Sequence, residues 1–305
     1  MYRKEKERFR KRYKISSNVI GSGTYSTIYL GTDTQDDNRE VAVKHIDTRH
    51  LTYQEKRHIM MEISILKKIN HGNIVQYIDS YIGKTRILIV LEYCPDGNLH
   101  DHIKCGAITE QDARNIFIQI VDALKYLHSH DIFHRDIKPT NILLVDECKV
   151  KLIDFGLATE NKNMSSTMCG SPLYMAPEIL LSNKYTNTCD IWSLGVVLYE
   201  MLFQKVPFSA CNIYELQCKH LNETDLPNMK GISANCKNLL HSMLSKNSRI
   251  TWKQLYKHPW VVTETKDDGE DDTATDQEDT ELFVFEESIT NSTFLNKYML
   301  LDYFT

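Results

Sequence analysis

No apolar run in this chain approaches the ~18 residues needed to cross a bilayer. The basic N-terminus is not followed by the apolar stretch of a secretory signal. Both absences point away from a membrane span and from export. The eight cysteines (94, 105, 148, 169, 189, 211, 218 and 236) form no C-x-x-C pair. A thiolate metal site therefore has no support, and free thiols in a reducing compartment are expected. A basic excess is missing as well. Residues 1–14 hold eight Lys/Arg and two Glu, and residues 263–287 hold twelve Asp/Glu and one Lys, so 15–262 is near neutral within a net charge of −5. A nucleic-acid binder would concentrate positive charge on that central part. The expected location is cytoplasmic, with the nucleus left open.

What is present suits a soluble globular protein. The 305 residues, 42% hydrophobic, suffice for two modest domains or one bilobal unit. Residues 1–13 read as a basic, solvated extension. Residues 15–46 then read as strands and turns. Ile20 leads into Gly21-Ser22-Gly23-Thr24-Tyr25-Ser26, and Ile28 follows on the way out. A glycine-rich turn between strands lets backbone N–H groups approach phosphate oxygens, although an ordinary hairpin gives the same pattern.

Val41 to Ile46 alternates as a strand does, with Ala42, Lys44 and Ile46 on one face. A lysine between such neighbours either reaches solvent or needs an anion. Thr52-x-x-Glu55 is a capping-box signature, and Ile59, Ile63 and Leu66 recur behind it at helical spacing. Glu62 lies on that apolar stripe, where a charge is costly unless paired. Pairing Lys44 with Glu62 resolves both anomalies. Strands over 73–78 and 87–91 complete a small sheet. The turn residues of 92–98 then open a helical half, beginning with Thr109-x-x-Asp112 and the apolar face from Ala113 to Leu127.

The densest polar cluster is His134-Arg135-Asp136-Ile137-Lys138-Pro139-Thr140-Asn141, with Asp154-Phe155-Gly156 after the apolar run 150–153. Farther on stand Cys169-Gly170-Ser171-Pro172-Leu173-Tyr174-Met175-Ala176-Pro177-Glu178, the nearly all-apolar stretch from Asp190 to Glu200, and His258-Pro259-Trp260. In this order the motifs resemble those of eukaryotic-type protein kinases over about residues 14–262. The hinge triplet Glu92-Tyr93-Cys94 and the stretch 169–178 look most like the autophagy-initiating, ULK-type serine/threonine kinases.

That resemblance implies an α+β, bilobal fold. A small β-rich lobe would span about 14–91, a hinge about 92–98, and a larger, mostly helical lobe about 99–262. It implies ATP and Mg²⁺ as cofactors and Ser/Thr-containing proteins as substrates. Asp136 would be the catalytic base and Lys138 the neutraliser of phosphate charge, a residue that argues for Ser/Thr over Tyr substrates. Asn141 and Asp154 would hold the metal. The ATP site would be lined by Ile20, Gly21, Ser22, Gly23, Thr24, Tyr25, Ser26, Ile28, Ala42, Lys44, Glu62, Leu91 as gatekeeper, Glu92, Cys94 and Leu143. Ser26 stands where the third glycine of the family's G-x-G-x-x-G turn is usual. Thr167, Ser166 and Ser165 would be candidate phosphosites, read by Arg135. Ser171, Glu178, Asp190 and Arg249 would give structural support, with Glu178 pairing to Arg249. Asn98 and Thr140 stand where basophilic kinases commonly carry acids, so no strong demand for arginine upstream of the target is expected.

Residues 263–281 read as an acidic, disordered linker. Residues 282–305 regain apolar character and are a candidate docking site for a regulatory partner. Lys44, Glu62, Asp136, Asn141 and Asp154 are all present, which favours an active enzyme. The other class to weigh is a kinase-fold scaffold acting through its partners.

Overall fold

The computed structural model describes residues 2–262, apart from 24, 107, 147–148, 160–169, 182–187, 223–225 and 227–228. The chain opens with α1 (Tyr2–Arg12), β1 (Tyr13–Gly23), β2 (Ser26–Asp33), β3 (Arg39–Asp47), α2 (Tyr53–Lys68), β4 (Tyr77–Ile82) and β5 (Arg86–Glu92). The strands form one sheet in the order β1-β2-β3-β5-β4, every neighbouring pair antiparallel. Beyond Glu92 come α3 (Leu99–Cys105), α4 (Glu110–Ser129), the short hairpin β6 (Ile142–Leu144) and β7 (Val150–Leu152), then α5 (Pro177–Leu180), α6 (Thr188–Phe203), α7 (Ile213–Asn222), α8 (Ala234–Met243) and α9 (Trp252–Tyr256). The architecture is the α+β, bilobal one that the resemblance implies.

Local chemistry accounts for the element ends. Thr52 and Glu55 close a reciprocal capping box on α2, and the Thr109 hydroxyl accepts from Asp112 N at the start of α4. α6 is apolar nearly all round and buried along most of its length, so it forms the axis of the large lobe. At the far end, Glu110 of α4 accepts from Trp260 Nε1 (2.8 Å) and Ser233 N (2.7 Å), while Arg114 donates to the carbonyls of Trp260 (2.6 Å) and Val262 (2.8 Å). Those bonds fasten the His258-Pro259-Trp260 stretch to α4.

The alternation of β3 divides the small lobe into two cores. Ile46 faces inward with Ile87 and Ile89 of β5 and with Ile63 and Leu66 of α2. Val41 and Val43 face outward with Leu88, Val90 and Tyr81. What covers that outer face corrects one expectation. Residues 1–13, read as a solvated extension, are mostly the helix α1, and it is docked. Phe9 and Tyr13 are 2% and 3% exposed, and Phe9 packs on Tyr13 and Tyr81 at ring-centroid distances of 4.8 and 5.8 Å. Arg12 grips Asp33 of β2 (Nη2 to Oδ2, 2.7 Å), and Arg8 reaches Asp79 of β4 (2.9 Å). The Arg12 guanidinium holds the Asp33 carboxyl below the usual aspartate range. Phe9 and Tyr13, set among the eight cations of residues 1–14, look solvated in sequence. Here they supply the apolar edge that the sheet requires.

In the large lobe Trp192, Phe208 and His220 pack ring to ring, with centroids 5.0 to 5.7 Å apart. His220 is 3% exposed, and burial, with Lys246 and Arg249 nearby, pushes its pKa down from 6.5 to about 4. The unfolded chain therefore binds the proton more readily between those values. Stability from the neutral imidazole is complete above the unfolded pKa of about 6.5 and is lost as pH falls towards about 4. The difference amounts to about 3 kcal/mol. In thermal melts at stepped pH, His220→Phe should flatten the decline between about pH 6.5 and 4. An unchanged slope would assign that decline to other groups.

Candidate active site

The sheet and the helical lobe meet at a cleft entered by the glycine-rich turn. β1 and β2 pair through Gly21↔Ile28, Ser22↔Thr27 and Gly23↔Ser26, so residues 21–26 close a hairpin; Thr24 lies outside the described residues. Ile20 and Ile28 are half-buried, and the Tyr25 hydroxyl hydrogen-bonds the Glu55 carboxylate at the start of α2. Ala42 lies opposite Leu91 across β3 and β5, and Leu91 packs against the main core. Glu92 ends β5, and Cys94 follows in the connection to α3. Asn98 caps α3, accepting from Asp101 N at 3.0 Å. Leu143 of β6 bridges to Asn98 from below.

Lys44 Nζ lies 2.6 Å from Glu62 Oε1 and 3.6 Å from Asp154 Oδ1, which brings β3, α2 and the turn after β7 together. Burial disfavours the charge on Lys44, but the Glu62 and Asp154 carboxylates outweigh it and hold the ammonium pKa above the ordinary lysine value. Burial likewise acts to raise the Asp154 pKa. The Lys44 charge, then His134, the Gly156 N–H and Lys138, reverse this and hold it below the usual aspartate value.

Asp136 lies at the centre of the large lobe's polar network. Its Oδ1 accepts from Ser171 N (3.0 Å) and Ser171 Oγ (2.9 Å). Its Oδ2 meets Asn141 Nδ2 (3.0 Å) and Lys138 Nζ (2.9 Å). Lys138 also donates to Ser171 Oγ at 2.7 Å. Asn141 Nδ2 is further tied to the Asp136 carbonyl at 2.9 Å, which identifies Oδ1 as its other amide atom, an acceptor. Arg135 and Asp154 both adopt φ near +60°, where a non-glycine residue costs about 1–2 kcal/mol. Asp190 of α6 holds the first in place by accepting from Arg135 N at 3.1 Å, and Arg135 Nε donates to the Leu157 carbonyl at 2.9 Å. The second is held by Ile153 N bonding to the Asn141 carbonyl at 2.9 Å. His134 and Phe155 are buried against each other, their rings 5.1 Å apart.

Arg249 clasps Glu178 through Nη1 to Oε1 (2.6 Å) and Nη2 to Oε2 (3.0 Å). Thr167, Ser166 and Ser165 lie outside the described residues, as does everything from 263 onward.

A model of the protein kinase domain matches residues 14–261. A putative serine/threonine-protein kinase A of Trypanosoma brucei brucei is 35% identical over 260 residues, 81% of this chain and 60% of that protein. The mouse serine/threonine-protein kinase ULK3 is 36% identical over 265 residues, 84% of this chain and 56% of its own. Calcium/calmodulin-dependent protein kinase type 1 of Caenorhabditis elegans is 35% identical over 257 residues, 81% of this chain and 74% of its own.

The chain belongs to the eukaryotic-type serine/threonine protein kinase family. It spans little more than half the length of the first two relatives. Within the kinase cleft, two residues have roles that the motifs alone do not assign. Gly170 has φ +107°, and a Cβ there would stand 2.8 Å from the Arg135 carbonyl oxygen, so only glycine lets the two segments close on each other. Lys151 of β7 is an ion-pair partner of Glu92. A charge inside the apolar run 150–153 was the available signal, the same one that singled out Lys44 and Glu62.

Proposed function

We propose that this chain transfers the γ-phosphate of ATP to Ser and Thr hydroxyls of proteins. The observation that carries the reading is the fourfold cradle around Asp136. A carboxylate has about four lone-pair directions, and Ser171 N, Ser171 Oγ, Asn141 Nδ2 and Lys138 Nζ approach four of them. A substrate hydroxyl needs one of those places. Three of the donors sit on backbone or short side chains, whereas Lys138 is long and can turn towards phosphate. Its departure opens Asp136 Oδ2 to the hydroxyl and brings positive charge to the transferring group in one movement. Asp136 then accepts the proton and aims the nucleophile.

The residues of this chain fit the two cofactors. Among the described residues no cluster of three or more His, Cys, Asp or Glu could hold an ion without help. Mg²⁺ takes one or two protein ligands and completes its shell with phosphate oxygens and water. Asn141 Oδ1 and the Asp154 carboxylate are hard oxygen donors for it. Bound there, the ion would neutralise charge on the phosphates. Lys44, held by Glu62, would bind the α- and β-phosphates, and the turn 21–26 would cover them. The backbone of Glu92 and Cys94 would hold the adenine, with Leu143, Ile20, Ile28, Ala42 and Leu91 lining its site. Arg135 serves as receiver for a phosphate on Thr167, Ser166 or Ser165. The absence of acids at Asn98 and Thr140 fits substrates without a required upstream arginine.

Incubation of the full chain with γ-labelled ATP, Mg²⁺ and a generic protein substrate tests the reading, with Asp154→Asn as control. Label on Ser and Thr from the unaltered chain only is the expected result. Equal label from both proteins, or none from either, leaves a kinase-fold scaffold.

A further inference from the structure

Glu92 and Lys151 form an ion pair that the chemistry above does not use. Lys151 Nζ is 2.6 Å from Glu92 Oε1, with the side chains 9% and 11% exposed. Glu92 closes β5 at the entrance to the hinge. Lys151 is the middle residue of β7, directly opposite Leu143 and three residues before Asp154. The pair therefore joins the two lobes on the side of the cleft where the hinge is.

Its surroundings are equally specific. The same Glu92 Oε1 accepts from Gln76 N at 2.5 Å, and Glu92 N donates to the Gln76 carbonyl at 3.0 Å. Lys151 Nζ is also 3.4 Å from the Ile74 carbonyl. The segment 73–76 is in turn sewn to β7: Leu152 N to Asn73 O (2.9 Å), Val75 N to Leu152 O (3.0 Å) and Asn73 Nδ2 to Val150 O (2.9 Å). Gln119 of α4 ties both, accepting from Asn73 Nδ2 (2.7 Å) and Val150 N (3.1 Å). Three segments distant in sequence thus converge on one buried charge pair.

Such a pair is a poor way to gain stability, because an apolar pair of similar volume often holds a core as well. What it adds is direction. A 2.6 Å contact, with further hydrogen bonds on both groups, is satisfied at one relative placement of hinge and hairpin. We propose that the side chains of Lys151 and Glu92 are positioning residues. They hold the adenine-binding backbone of the hinge at a set distance from the Asp154 turn, so that one nucleotide spans both. This inference rests on the kinase reading.

Lys151→Met, Glu92→Gln and the double variant, each in the full chain, test it through melting temperature, ATP Kd by calorimetry, and kcat and KM for ATP. Lys151→Met should raise both ATP Kd and KM about tenfold, a loss of about 1.4 kcal/mol, while kcat changes little. The double variant should regain melting temperature, since no buried charge is left alone, without regaining ATP affinity. Three results overturn the inference: a lower melting temperature with unchanged ATP affinity, recovery of ATP affinity by the double variant, or a raised kcat at unchanged Kd. An unaltered chain that binds no ATP instead overturns the kinase reading itself.

Discussion

Asp136→Asn is expected to lower phosphoryl transfer by about 10²–10⁴-fold, the usual contribution of a positioned general base. Asparagine keeps the shape and removes the proton acceptor. It also disturbs the cradle, because either orientation of the amide turns an NH₂ towards a donor. On one side stand Ser171 N and Oγ, on the other Asn141 Nδ2 and Lys138 Nζ. The rate must therefore be read beside melting temperature and ATP affinity. A fall in rate at retained ATP binding assigns the loss to the base. A variant that keeps more than about a tenth of the rate would leave less than the range expected of a base, and Asp136 would then serve only to organise Ser171 and Asn141.

Phe9→Ala should cost about 3–5 kcal/mol of unfolding free energy, the range for truncating a buried aromatic. Phe9 is 2% exposed and lies between Tyr13 and Tyr81, over the face formed by Val41, Val43, Leu88 and Val90. Removing it opens a cavity and also uncovers the outer side of a twisted five-stranded sheet. Denaturant titration measures the change. Arg12→Ala should add to the loss by leaving Asp33, 1% exposed, without the guanidinium that keeps it ionised. A Phe9→Ala protein as stable as the parent would mean that α1 rests on the sheet without contributing to it. A truncated protein that begins at residue 14, the first residue matched by the family comparison, would lack this helix and should unfold more readily.

Much of the cleft was legible because its elements are local. Capping boxes, glycine-rich turns and alternating strands are set within a few residues, and each leaves a mark in the sequence. The Lys44–Glu62 pair was legible for another reason. A charge on an apolar face needs a partner, and two such charges 18 residues apart are natural candidates for each other. The same argument applied to Lys151, yet its neighbours gave no clue to the partner. Glu92 looks like an ordinary turn acid at the end of a strand, and only the folded chain brings β5 to β7.

The N-terminal helix shows the limit most plainly. Charge density over residues 1–14 describes how the stretch interacts with water, and by that measure it belongs outside. Whether two aromatics in it are buried depends on a surface elsewhere that needs cover, and that surface exists only once β3, β4 and β5 have paired. By itself the sequence determined the family and the bilobal fold, and it singled out the carboxylates, amides and lysines that the proposed phosphate chemistry would use. Tertiary structure decided the distances among Asp136, Lys138, Asn141 and Ser171, the bolt between Glu92 and Lys151, and the place of α1. The physical reason is the same in each case. Local propensity and patterning act along the chain, whereas burial and the pairing of charges act between segments that only the fold makes neighbours.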